Sequence, residues 1–158
     1  MKAVRSISMI VVAFVVLVSF TGIAAASDKA TKEECVEKTK AAAQMVKEKG
    51  LEETLKVVQD KKGPFVWKDT YVFCIDMDKQ CNIAHPITPT LVGKNLMGVK
   101  DPSGKLFFAE FINTAREKGE GWVDYMWPKV GEKNPSPKIT YVYRVPDHNI
   151  FMAAGIYE

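Results

Sequence analysis

Gly119-Glu120-Gly121-Trp122-Val123-Asp124-Tyr125-Met126-Trp127-Pro128-Lys129, followed by a Pro-rich loop and Lys138-Ile139-Thr140-Tyr141-Val142-Tyr143, is the stretch that decides the fold. Two glycines end what precedes it, and the aromatic and β-branched residues alternate with a period of 2, which predicts strand, loop and strand. On the first strand Val123, Tyr125 and Trp127 share one face, while Trp122, Asp124 and Met126 share the other. Aromatic side chains with polar tips, set beside a lysine on the returning strand, form a wall that can hold a small anion while packing as core. That wall is the candidate site.

Working outward, Gly119 closes a helix that starts after Asp101 or Ser103, either of which can cap it, and carries Phe107, Phe108, Phe111, Ile112 and Ala115 as an apolar face. Ahead of it, residues 86–102 hold Pro86, Pro89, Gly93, Gly98 and Pro102; an irregular segment of that length commonly covers a pocket. Before it, Tyr71, Phe73 and Ile75 alternate with Val72 and Cys74, and Cys81 to His85 returns after a turn at Asp76-Met77-Asp78-Lys79, which predicts a hairpin. On the other side, residues 150–157 are apolar throughout and form a strand central in the sheet. Thr31 with Glu34 is a capping box opening a helix that Gly50 ends, and Leu51, Leu55 and Val58 carry a second helix up to Gly63-Pro64. The fold class is therefore α+β: an antiparallel sheet of about five strands, a long N-terminal helical segment and a covering loop with a helix.

Residues 1–26 read as an export signal: Lys2 and Arg5, an apolar run from Ile7 to Phe20, and Ala24-Ala25-Ala26 before Ser27. The rival reading is an uncleaved anchor, since that run is about long enough to span a bilayer. Cleavage leaves residues 27–158, one domain with a real core. The 22 basic residues of the whole chain fall to 20 against 19 acidic ones. No concentrated basic face remains, which excludes a nucleic-acid partner.

Seven fragments in order, Tyr71 to Asp76, Ala84-His85-Pro86, Leu91 to Lys94, Lys100 to Lys105, Gly119 to Pro128, Lys138 to Tyr141 and Gly155 to Tyr157, resemble the single Cache domain of bacterial extracytoplasmic sensors. The resemblance implies a PAS-like sheet whose pocket binds small molecules, often short organic acids, on the sensing side of chemoreceptors and sensor kinases. With no second apolar span and no kinase or methyl-accepting segment in these 158 residues, the expectation is an exported, periplasmic or secreted binding module. Its partners would be a short carboxylate, a membrane receptor or sensor kinase, and a second copy docked through the N-terminal helix. The rivals are an adaptor whose pocket is filled by its own side chains, and a small exported enzyme using His85.

The expected ligand-binding residues are Tyr71, His85, Tyr125, Trp127, Lys138 and Tyr141. Lys138 supplies the counter-charge for a carboxylate. His85, extended before Pro86, stands at the mouth of the covering loop. Tyr141 lies three residues beyond Lys138, so both line the site only if Lys138 precedes the regular strand. The spacing of Cys74, Cys81 and His85 fits no recognised zinc or haem pattern, and no metal or cofactor is expected. With a two-residue turn at Met77-Asp78, Cys74 faces Cys81, which predicts a disulfide between them and leaves Cys35 free. No nucleophile elbow, phosphate loop or metalloprotease motif is present, and the chain reads as a non-enzyme.

Overall fold

The computed structural model describes residues 28–158; the expected export signal and cleavage site lie outside these residues. Helix α1 (Lys32–Lys49) opens on the expected capping box, Thr31 accepting from the Glu34 amide while Glu34 accepts from that of Thr31. Gly50, at φ 82°, turns the chain sharply into α2 (Leu51–Gln59), a conformation a side chain would resist. Two further elements follow from the predicted hairpin: β2 (Thr70–Asp76) and β3 (Cys81–Ala84), preceded by the two-residue β1 (Val66–Trp67). A 3-10 turn at Pro89–Leu91 lies in the covering segment, then come α3 (Phe107–Glu117), β4 (Glu120–Pro128), β5 (Pro135–Arg144) and β6 (Ile150–Tyr157).

The strands pair antiparallel, in the order β1-β2-β6-β5-β4, with β3 sharing β2's outer edge with β1. The sixth strand is β1, too short to register as a pattern. The apolar β6 is central, as its composition requires. The sheet separates two cores. On one face Tyr71, Phe73 and Ile75 of β2, with Val123 and Tyr125 of β4, pack against α3. On the other, Val72 and Cys74, with Met152 and Ala154 of β6, pack against α1 and α2.

The hairpin turn is wider than the sequence suggested. Asp76 accepts from the amides of Asp78 and Lys79, both at 2.9 Å, and Gln80 takes φ 54°, so four residues span the turn. Cys81 therefore pairs with Asp76 and Cys74 with Ala84, after a bulge between Cys74 and Ile75. The expected Cys74–Cys81 disulfide is thus corrected: Cys35, Cys74 and Cys81 are all free and buried.

Gly155 of β6 lies opposite Thr140 of β5. A Cβ there would lie 2.2 Å from Thr140 Oγ1 and 2.5 Å from the Ile139 carbonyl. The carbonyl cannot yield without breaking the β5–β6 ladder. Gly155→Ala is expected to cost about 3 kcal/mol or more, read as a fall in the urea midpoint with unchanged m value; a variant of wild-type midpoint would mean that the strands part without cost.

Candidate functional site

A cavity opens on the α3 face of the sheet. Its floor is Tyr71, Phe73 and Ile75 of β2 with Asn82 and His85; its roof is Leu91 and Leu96 of the covering segment and Phe107, Phe108 and Phe111 of α3; Tyr125 and Trp127 of β4 close the far side. The free space at its centre is about 20 Å³, room for a single water. Tyr71, Leu91 and Trp127 also border an outer basin of about 440 Å³, reached between the covering segment and the loop after β4. Four expected residues, Tyr71, His85, Tyr125 and Trp127, meet here.

Each is held by its element. Tyr125 stacks on Phe107 at 4.9 Å and meets Phe111 edge-on at 5.1 Å, while its hydroxyl accepts from Thr140 Oγ1 at 3.2 Å. Burial pushes its phenol pKa upward. His85 is wedged between Tyr71 at 4.9 Å and Phe73 at 5.7 Å. Gln59 of α2 clamps its backbone, accepting from the His85 amide at 2.8 Å and donating to the carbonyl at 3.1 Å. Its Nδ1 accepts from the Thr88 amide at 3.0 Å, which puts the proton of the neutral ring on Nε2. Burial, reinforced by the charge of Lys138, lowers its pKa to about 3, so the imidazole is a neutral donor at physiological pH.

Lys138 is the least ordinary residue of the molecule. It lies inside β5, in register with Tyr125 of β4 and Tyr157 of β6, and is 1% exposed. Its Nζ stands 4.6 Å from the centre of the Tyr71 ring and 4.7 Å from that of Tyr157, with no hydrogen-bond partner. Two phenyl faces stabilise an ammonium, but without a hydrogen bond they do not replace its water. Burial brings its pKa down to about 7.

Tyr141 is corrected. Because Lys138 already belongs to the regular strand, three steps of alternation turn Tyr141 to the α1 face. There its hydroxyl donates to Glu120, which also pairs with Lys40 at 3.0 Å, and Lys40 lies 5.9 Å above the Tyr141 ring. Tyr157, which the sequence reading missed, takes its place. It alternates correctly from Ala153 and Gly155 to face Lys138, and its hydroxyl donates to the Pro128 carbonyl at 2.7 Å. The phenylalanines of α3 were visible as an apolar face but not as the pocket's roof.

Asp101 has a different task from the helix cap expected of it. Helix α3 begins six residues later, after Leu106, with no side-chain cap. The Asp101 carboxylate instead accepts from Ser103 N and Oγ and from Lys105 N on one oxygen, and from Met126 N at 2.8 Å on the other. Since β4 is an edge strand, this anchors the covering segment to an otherwise unpaired strand amide. Desolvation works against the charged form, yet these hydrogen bonds hold the pKa at about 2.

A family model described as Cache domain matches residues 26–158, nearly all of the chain and the whole of this sheet and cavity. The chain belongs to the Cache domain family. The methyl-accepting chemotaxis protein McpP of Pseudomonas putida is 32% identical over 89 residues, which make up 56% of this chain and 16% of that receptor. Among solved structures, a Cache chemosensory domain described for carboxylic acid recognition superposes with TM-score 0.67 at 27% identity, covering 79% of this chain and 91% of that one. A periplasmic sensor domain of a chemotaxis protein superposes with TM-score 0.63 at 28% identity, covering 79% and 88%. The PAS-like fold that the sequence fragments implied is therefore the fold of this Cache domain.

Two predictions follow from the site's electrostatics. The lowered pKa of Lys138 means that the unfolded chain takes up a proton near pH 10.5 and the folded chain only near 7; stability is full above 10.5 and is lost as the pH falls toward 7. Lys138→Met should therefore be more stable than the parent at pH 7, by about 1–4 kcal/mol, with the difference shrinking toward pH 10; paired chemical denaturation curves at the two pH values check this, and equal stability at pH 7 would refute the buried charge. For Asp101→Ala we expect a loss of about 2 kcal/mol at pH 7, the worth of hydrogen bonds to a charged group, together with faster amide exchange in residues 86–106. Because the Asp101 pKa is lowered, that loss should shrink as the pH falls from 4 toward 2.

Proposed function

We propose that this Cache domain is an extracytoplasmic sensory module that binds a short-chain carboxylate between its sheet and α3. The observation that carries the reading is the buried, hydrogen-bond-free Nζ of Lys138, which lies 4.6 Å from the centre of the Tyr71 ring that lines the cavity, while the polar side chains of the lining itself are neutral. A carboxylate is the ligand group that such an ammonium lacks. His85 Nε2–H and the tyrosine hydroxyls supply further donors, and the aromatic walls suit a small apolar tail. The similar domain described for carboxylic acid recognition supports this class of ligand, and the periplasmic sensor domain supports an extracytoplasmic placement. A cleaved signal at residues 1–26, one binding domain in residues 27–158, delivery of the bound ligand to a chemoreceptor or sensor kinase, and pairing of two copies through α1 complete the proposal. Catalysis plays no part in it: the cavity's polar groups bind and orient.

One observation favours a second reading, an adaptor without a free ligand. The central space is only about 20 Å³ because Tyr71, Phe107, Phe111 and Trp127 fill it.

A thermal-shift and calorimetry panel of two- to four-carbon mono- and dicarboxylates on residues 27–158 separates the two. A binder held at 100 times its Kd should gain about 2.7 kcal/mol of stability. Lys138→Met should weaken that binding by on the order of 2–4 kcal/mol, and Tyr141→Phe, on the opposite face, should leave it unchanged. Silence across the panel would favour the adaptor, and wild-type affinity in Lys138→Met would sink the anion-binding reading.

A further inference from the structure

Among the described residues no carboxylate pairs with the Lys138 Nζ; of the acids that line a second cavity with Lys138, Asp101 is engaged by four hydrogen bonds, Asp124 pairs with Lys105 at 3.1 Å and Glu158 is exposed. From β2 and β6 the lysine meets the Tyr71 and Tyr157 rings, and from β4 its cross-strand neighbour is Tyr125. Burial holds all three phenols neutral, Tyr71 up at about 12 and the others higher still. The α3 side of this wall offers Phe107 and Phe111. Beyond contact distance, Cys35 of α1 is a thiol pushed up to about 12 by burial, and Asp69, before β2, is already engaged by the Ala30 amide at 2.8 Å. His85, after β3, is neutral and is itself disfavoured as a cation by the lysine. An ammonium in such a place is held only weakly to its proton, whereas a carboxylate seated against it would hold the proton strongly.

We propose, resting on the carboxylate-binding reading above, that this site takes up its anion together with one proton from solvent, so that occupancy reports carboxylate concentration and acidity jointly. The step balances simply: a carboxylate, the neutral Lys138 amine and a solvent proton become a carboxylate–ammonium pair, the proton going to the Nζ lone pair. No covalent bond between the partners forms. The proton is not the ligand's, since short carboxylic acids are already ionised above about pH 5. It does not go to His85, whose pKa of about 3 keeps it silent between pH 5 and 9. The Lys138 pKa of about 7 places the transition inside the physiological range. Below that pH the amine is already charged and affinity is flat. Above it, affinity falls about tenfold per pH unit until the pKa of the occupied site is reached.

The test is isothermal titration of the wild-type domain with acetate and with lactate at pH 6 and pH 8, each in phosphate and in Tris, whose ionisation enthalpies differ. The expected result is uptake of about one proton at pH 8 and about none at pH 6, with Kd roughly tenfold higher at pH 8. Lys138→Arg, whose guanidinium stays charged throughout, should bind with no such dependence if circular dichroism shows it folded. Binding with equal Kd and no proton uptake at both pH values would overturn the linkage while leaving carboxylate recognition intact. No heat and no thermal shift with either acid at pH 6, where Lys138 is charged, would overturn the recognition itself and the linkage with it.

Discussion

An ammonium group that sits among aromatic rings with no acid paired to it is the constraint on which the rest of this domain turns. Lys138 is carried to that place by β5 and surrounded by residues of β2, β4 and β6, so four strands must be in register to bury it. Burial without a partner destabilises the fold, and the aromatic packing of Tyr71, Tyr125, Phe107 and Phe111 has to outweigh it. A protein needing only stability would have an apolar residue at this position. In the proposed carboxylate site the lysine is half of an interaction whose other half comes from outside.

The two faces of the sheet divide the work. The α1 and α2 face is closed by small and branched side chains, Ala42, Ala43, Val46, Val72 and Ala154, which let the helices lie close. The α3 face is built of large rings that meet at angles and leave an irregular hollow between them. Gly155 links the two arrangements. Having no side chain on the crowded β5–β6 seam, it allows Thr140 to lean across and hold the hydroxyl of Tyr125, which lines the hollow and lies in register with Lys138.

The period-2 alternation between Gly119 and Tyr143, the capping box at Thr31 and the apolar run at 150–157 each depend on neighbours in sequence, and each could be read directly. What the sequence concealed was register. The choice between Met77-Asp78 and a four-residue turn moves Cys81 from opposite Cys74 to opposite Asp76, and it is decided by one carboxylate accepting from two amides. Whether Lys138 is inside β5 or before it decides which way Tyr141 points, and Ser136 and Pro137 gave no local signal that the strand had already begun. Asp101 looked like a cap because Asp-Pro-Ser-Gly composes a turn; its second oxygen reaches an amide 25 residues away, which no local pattern encodes. Tyr157 is the same case: its role is fixed by a cross-strand partner 19 positions earlier.

Access to the cavity is the remaining physical question, because about 20 Å³ holds a water and not a carboxylate with its carbon atoms. Room has to come from the roof, since the floor is a hydrogen-bonded sheet. Of the roof, α3 is fixed at its far end, where Arg116 donates to the Met77 carbonyl at 2.8 Å. The covering segment is fixed near residue 101 by four hydrogen bonds to one carboxylate and near residue 85 by the Gln59 clamp. Between those anchors Leu91 and Leu96 lie over the cavity, held chiefly by turns of their own and by the isolated bridges of Asn82 to Val92 and Cys81 to Asn95. The middle of the segment is thus its least anchored part. Its displacement would join the cavity to the outer basin bordered by Tyr71, Leu91 and Trp127 without disturbing the strands that position Lys138.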